Sequence, residues 1–221
     1  LVFVRHCEAE GNTKGVLQGC TDCDISGNSA VQLDLVSLRL RNESFAALYS
    51  SPLKRAFKTA QAINRYHNLP IQVEPRLAEI NVGVWEGRSW KEIEQEDSPL
   101  VKIWNETPGR FHVKGGESMR EVYDRVWSAA TEIAASNRGK TVCVVSHGCA
   151  IRNLLCHAMG WPVDRIGEID WCDNTAVSVV DFDNAGKARV VKMNDASHLP
   201  QEYSVYRRDG ADHLDIKAVA P

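Results

Sequence analysis

Residues 1–12, Leu1-Val2-Phe3-Val4-Arg5-His6-Cys7-Glu8-Ala9-Glu10-Gly11-Asn12, decide how the rest of the chain is read. Four apolar residues in a row, two of them valine, predict a short buried strand. The strand stops on a cation and an imidazole, so Arg5 and His6 fall at its carboxyl end. In open α/β sheets, ligands bind in the crevice beyond those ends. A planar guanidinium binds two phosphate oxygens at once, and a neutral imidazole nitrogen can attack phosphorus. Taken alone, the dipeptide reads first as an ordinary polar strand end. The rest of the chain shifts the balance.

The 221 residues allow one sizeable core. The expectation is a single domain over 1–221, with residues from about 80 to 117 as an inserted, lid-like part. A formal net charge of −3 gives no footprint for nucleic acid or a membrane surface. No apolar run approaches the roughly 18 residues of a membrane span. Leu1 starts a strand with no basic leader before it, so no secretory signal is expected. Seven cysteines, an odd number scattered along the chain, fit free thiols in a reducing, cytoplasmic compartment. Cys20-x-x-Cys23 is a close pair without a second pair to complete a zinc site, and reads as two loop thiols.

Downstream, strands and helices alternate. Ser26 or Asn28 caps an expected helix to about Leu40, with Val31, Leu33, Leu35 and Leu38 inward. Phe45–Tyr49 reads as a second buried strand. Ser51 is expected as the cap of the next helix, with Pro52 at its first position and Leu53, Ala56, Phe57, Ala60 and Ile63 inward. Lys54 and Arg55 sit in that first turn, where cations oppose the helix dipole unless an anion is near. Ile71–Val73 is a short strand. Ser89-x-x-Glu92 and Ser118-x-x-Glu121 are capping boxes. The first starts a short helix, and residues 98–116, rich in Pro and Gly with Trp104 and Phe111 interleaved, read as an irregular excursion that covers something. The second starts a long helix with Met119, Val122, Val126, Ala129, Ala130 and Ile133 in one stripe. TVCVVS (141–146) reads as a central strand covered on both faces. It ends in Ser146-His147-Gly148 before another helix. AVSVVDF and ARVVKMN, with Gly186 between them, read as a hairpin, and Arg208–Val219 as a weakly held tail. The alternation predicts a three-layer α/β sandwich with a mostly parallel central sheet. Arg5-His6 and His147-Gly148 then converge on one crevice.

RHCEAEGN, SSPLKRAFKTA, LAEINVGVWEG, GGES and VVSHG, in this order over residues 1 to about 155, resemble the histidine phosphatase superfamily, the phosphoglycerate mutase-like fold. The resemblance implies His6 as a nucleophile that forms a phosphohistidine. It implies Arg5 and Arg55 as clamps on the phosphoryl oxygens and His147 as a further phosphate ligand. Glu79 would be the general acid that protonates the leaving oxygen and then the base that activates water. Asn12, Gln18, Gly19 and Gly148 would line the phosphate pocket. Cys7 departs from the small residue usual after the nucleophile, and is expected to tighten the pocket or to sensitise it to oxidation. Ser29 stands where the family usually has Gly.

The stretch INVGVWEG after Glu79 looks like broad-specificity and alpha-ribazole phosphatases rather than mutases, which carry a basic, Tyr-containing segment there. Hydrolysis of a small phosphorylated metabolite is therefore the expected activity. A cofactor-dependent phosphoglycerate mutase is the alternative within the family. A non-catalytic phospholigand-binding relative is the alternative from another class. No cofactor and no metal are implied, since two Arg and two His supply the positive field. Six Trp leave room for a homodimer interface without marking one. His112, in the covering excursion, is the remaining histidine of interest.

Overall fold

The strand at residues 1–4 forms as the apolar run dictates, and its alternation builds both faces of the core. In the computed structural model, which describes residues 1–205, β1 (Val2–Arg5) is fully buried. Phe3 points into one hydrophobic cluster, and Val2 and Val4 into the other. β4 (Thr141–Ser146) repeats this, with Val142 and Val144 on one side and Cys143 and Val145 on the other. Such two-faced burial is what a strand in the middle of a helix-covered sheet requires.

Six strands lie in the order β3-β2-β4-β1-β5-β6, with β2 at Phe45–Ser50 and β3 at Ile71–Val73. β5 (Val177–Phe182) and β6 (Ala188–Asp195) form the expected hairpin. Pairings among β1 to β4 are parallel; β5 runs antiparallel to β1 and to β6. The chain leaves β1, builds β2 and β3 outward, and returns to place β4 between β2 and β1. Arg5 therefore pairs with Ser146, and the ends of β1 and β4 lie side by side at a topological switch point.

The helices are α1 (Glu10–Lys14), α2 (Ser29–Leu40), α3 (Lys54–Asn64), α4 (Trp90–Glu106), α5 (Met119–Ser136) and α6 (Gly148–Ala158). α2 and α3 cover one face through Val36, Leu40, Ala56, Ala60 and Ile63. α4, α5 and α6 cover the other. This is the three-layer α/β sandwich. Both capping boxes are present, and the α5 stripe is buried throughout. Among the described residues no helix is long and apolar enough to cross a membrane.

Four local expectations are corrected. α2 turns a different face inward: Ser29, Gln32, Val36, Ser37 and Leu40 are buried, while Val31 and Leu38 are exposed. The reason is polar. Gln32 Oε1 accepts the Glu8 N–H (2.7 Å) and its amide donates to the Tyr203 carbonyl, so a glutamine takes the place of an apolar stripe. Ser26 and Asn28 do not cap α2; both donate to Glu8 Oε1. Ser51 does not cap α3, which starts after Leu53; its hydroxyl lies 2.7 Å from His147 Nε2 instead. Residues 98–106 are helical rather than irregular, because α4 kinks at Asp97 and resumes with Pro99 in the first turn of its second leg, where proline is tolerated. Trp85, Trp90, Trp104 and Phe111 pack ring against ring at 4.6–6.3 Å and join the α5–α6 core. The tail at Arg208–Val219 lies outside the described residues.

Candidate active site

Arg5, His6, Arg55, Glu79 and His147 all converge at the carboxyl ends of β1, β2 and β4, and all five are buried. β1 delivers Arg5 and β4 leads straight into His147, whose ring centroid lies 5.1 Å from that of His6. Asn174 Nδ2 and the Thr175 N–H hold the His6 carbonyl from the loop before β5. His6 Nδ1 lies 2.6 Å from the carbonyl of Cys7. A carbonyl only accepts, so Nδ1 carries the proton and the lone pair is left on Nε2. Burial, then the charges of Arg55 and Arg5, hold the His6 pKa well below the ordinary imidazole value, outweighing that hydrogen bond. Burial, Arg55 and His6 do the same to His147. The pair is thus two neutral imidazoles in a positive field.

The guanidinium of Arg55 donates to the carbonyls of Gly19 (2.7 Å) and Thr21 (2.9 Å). Arg5 donates to the Cys172 carbonyl. The carbonyl dipoles on Arg55 hold it without cancelling its charge, which the imidazole of His6 feels together with that of Arg5. Glu79 is docked on the amino end of α6. Its Oε1 accepts from the N–H groups of Ile80 (2.9 Å) and Ala150 (3.1 Å), and its Oε2 from Cys149 (3.0 Å). His147 precedes α6 without capping it by its own side chain, and Glu79 satisfies two of the orphan N–H groups from across the site.

The expected pocket-lining residues are distributed less evenly. Gln18 and Gly19 are buried in the loop facing Arg55, with Gln18 packed against Gly11. Gly148 opens α6 beside His147. Asn12 is half-buried, and its Oδ1 accepts the Ala9 N–H (2.9 Å), closing the first turn of α1. Cys7 is fully buried, its N–H donates to Thr59 Oγ1, and burial pushes its thiol up to about 11. A protonated, enclosed thiol is a poor target for oxidation, so sensitisation at Cys7 does not follow. Ser29 Oγ folds back on the Ser26 carbonyl. His112 is exposed, its backbone bridged to Ser118.

Residues 1–196 match the histidine phosphatase superfamily (branch 1). The chain belongs to this superfamily. It is 34% identical over 203 residues to phosphoserine phosphatase 1 of Hydrogenobacter thermophilus, spanning 92% of this chain and 95% of that one. It is 34% identical over 202 residues to a metal-independent phosphoserine phosphatase of Arabidopsis thaliana, spanning 90% and 82%. Among solved structures, Bacillus stearothermophilus YhfR superposes with a TM-score of 0.85 at 28% identity, over 89% of this chain and 97% of that one.

Within this histidine phosphatase, three carboxylates outside the expected set organise the site. Glu117, from the GGES motif, pairs with Arg125 (2.6 Å) and accepts the Asn81 N–H. Arg125 in turn donates to the carbonyls of Arg76, Ala78 and Glu79, fixing the backbone that carries Glu79. Glu86, from the WEG motif, accepts four hydrogen bonds from two loops. Asp173 ties its own loop to Ser204 and Val205. The motifs containing Glu117 and Glu86 are visible in the sequence. Glu117 reaches Asn81 and Glu86 reaches Cys20 and Thr21 over 36 to 66 residues, and no local pattern reports these contacts.

Proposed function

We propose that this chain hydrolyses a small phosphomonoester in two transfers through His6. The observation that carries the reading is the Nδ1–Cys7 carbonyl bond, which together with burial between two guanidiniums keeps Nε2 unprotonated. In the first transfer, Nε2 attacks phosphorus and the P–O bond to the leaving alcohol breaks. Glu79 gives that oxygen its proton. In the second, water attacks the phosphohistidine, its proton passes to Glu79, and the P–N bond breaks to release inorganic phosphate. Arg5, Arg55 and His147 face the charge spread over the equatorial oxygens. The named activities of the two curated relatives agree with this reading. They also make O-phosphoserine the first metabolite to try.

The test is phosphate release from p-nitrophenyl phosphate near pH 6, with and without a chelator, by the native chain and by His6→Ala. Release that survives chelation and disappears in the variant supports the proposal, as does an acid-labile phosphorus signal on His6 after quenching. O-phosphoserine and 3-phosphoglycerate then probe the physiological class. No release from any of them, with interconversion of phosphoglycerates in the presence of a bisphosphoglycerate primer, would establish a mutase instead. Silence in both assays with retained phosphate binding would leave a phospholigand-binding protein.

A further inference from the structure

We infer that Glu86 is the positioning residue for Arg55, acting through one peptide unit of the 18–21 loop; this rests on the reading of Arg55 as a phosphoryl clamp. The peptide between Gly19 and Cys20 has its carbonyl on Arg55 NH2 (2.7 Å) and its N–H on Glu86 Oε1 (2.9 Å). It is held by a cation at one pole and a carboxylate at the other. Each interaction polarises the peptide in the sense that strengthens the other. The next residue adds a second link. The Thr21 carbonyl accepts from Arg55 NH1 (2.9 Å), while its N–H (2.8 Å) and hydroxyl (2.5 Å) donate to Glu86 Oε2.

The loop is shaped for this carboxylate. Gly19 has φ +47°, and a Cβ there would lie 2.1 Å from Glu86 Oε1. Only glycine lets the backbone approach so closely. Glu86 Oε1 also accepts the Val82 N–H (2.9 Å), on the segment that carries Glu79. Glu86 thus fixes the loop that orients the guanidinium to the loop that presents the carboxyl. It touches neither the imidazoles nor any reacting atom in this arrangement, so its contribution is to aim Arg55.

The experiment is a double-mutant cycle read by kcat/KM for p-nitrophenyl phosphate and by inhibition with orthovanadate. An amide accepts through one oxygen only, so Glu86→Gln loses a charge-assisted bond and sets N–H against N–H. Through Arg55 this corresponds to a loss of about tenfold or more in kcat/KM and a matching weakening of vanadate inhibition. In an Arg55→Ala background the same substitution is expected to change either quantity by less than about twofold. Equal factors in both backgrounds would overturn the inference, because a purely structural role is additive with Arg55. Thr21→Val removes only the hydroxyl donor and keeps the backbone. It is expected to lose about threefold, again only when Arg55 is present, and so serves if Glu86→Gln does not fold. Calorimetric binding of orthophosphate separates this inference from the hydrolysis reading. A native chain that binds phosphate but releases none from esters would defeat hydrolysis alone. Unchanged phosphate binding in both Glu86→Gln and Thr21→Val would defeat the inference alone.

Discussion

Replacing Glu79 by Gln tests two roles of one side chain and separates them by assay. The carboxylate oxygens take three buried N–H groups, two of them from the open end of α6. In Gln the amide oxygen can keep the pair from Ile80 and Ala150. Its NH2 then faces the N–H of Cys149, donor against donor. One buried donor is left unsatisfied, so the expected destabilisation is about 1–3 kcal/mol, roughly a 0.5–1 M fall in urea midpoint for an m-value of about 2–3 kcal/mol/M. The kinetic effect is distinct. An aryl phosphate has a leaving group that needs little protonation, so phosphorylation of His6 proceeds, while activation of water loses its base, about 10²–10⁴-fold. Rapid mixing with p-nitrophenyl phosphate is then expected to give a burst of nitrophenolate equal to the enzyme, followed by slow turnover. A variant of native urea midpoint would refute the anchoring of α6 by Glu79. A variant with native steady-state turnover would refute its role as the proton carrier.

The neutral state of His6 predicts that kcat/KM stays level as pH falls through about 6.5 and declines only further into acid, and that Arg55→Ala moves this decline upward; a pH–rate profile with aryl phosphate from pH 4 to 8 checks both. Stability carries the opposite face of the same shifts. His6, His147 and His198, the last lowered to about 4, resist protonation in the fold but not in the unfolded chain. Stability from these groups is therefore complete above about pH 6.5 and is lost as pH drops toward 4, a trend that calorimetric melting against pH measures. Arg125→Ala leaves Glu117 without its partner and frees three carbonyls around Glu79; a loss of about 2–3 kcal/mol in urea unfolding is expected, with kcat reduced more than KM is raised. Ser118→Ala removes the cap of α5 and is expected to lower stability by about 1 kcal/mol with kcat/KM unchanged.

What could be read from the sequence was whatever is encoded locally. The β1 apolar run, both capping boxes, the α5 stripe and the TVCVVS run depend on neighbours within a turn or on period alone, and each appears where its pattern puts it. Two of the failures share a cause, a partner distant in the chain. α2 was read by its leucines, but Glu8 and Tyr203 claim Gln32 and rotate the helix. Ser51 has the composition of a cap, but it lies beside His147, ninety-six residues later. Prolines and glycines between 98 and 116 signalled irregularity, although Pro99 only restarts a helix, and the aromatic rings around it supply the packing. The convergence of Arg5-His6 with His147 was legible because strand ends in a parallel sheet share an edge, whereas Arg55 and Glu79 joined them only through the resemblance of their motifs to the family.

The same distance dependence explains how a guanidinium is buried beside two imidazoles. Arg55 is held by the carbonyls of Gly19 and Thr21. A carboxylate in those places would weaken the field that, with burial, depresses the His6 pKa. The acidic side chains that the loops contain are used one step back. Glu86 takes the N–H of the Gly19–Cys20 peptide, whose carbonyl meets Arg55, and the N–H of Thr21 beside it, and Glu117 takes Arg125, a different cation. Charge is thereby balanced over the region while the crevice itself stays electropositive. A carbonyl-held arginine lowers the energy of an incoming phosphoryl group without first having to release an ion-pair partner, which is the condition for electrostatic preorganisation. Moving a carboxylate forward tests this: Cys23→Asp, at a side chain near enough to Arg55 to act on its charge, is expected to weaken orthovanadate inhibition at least tenfold and to raise the pH of the acid decline in kcat/KM. Undiminished inhibition in a folded Cys23→Asp variant would show that the positive field is not what holds the phosphoryl group.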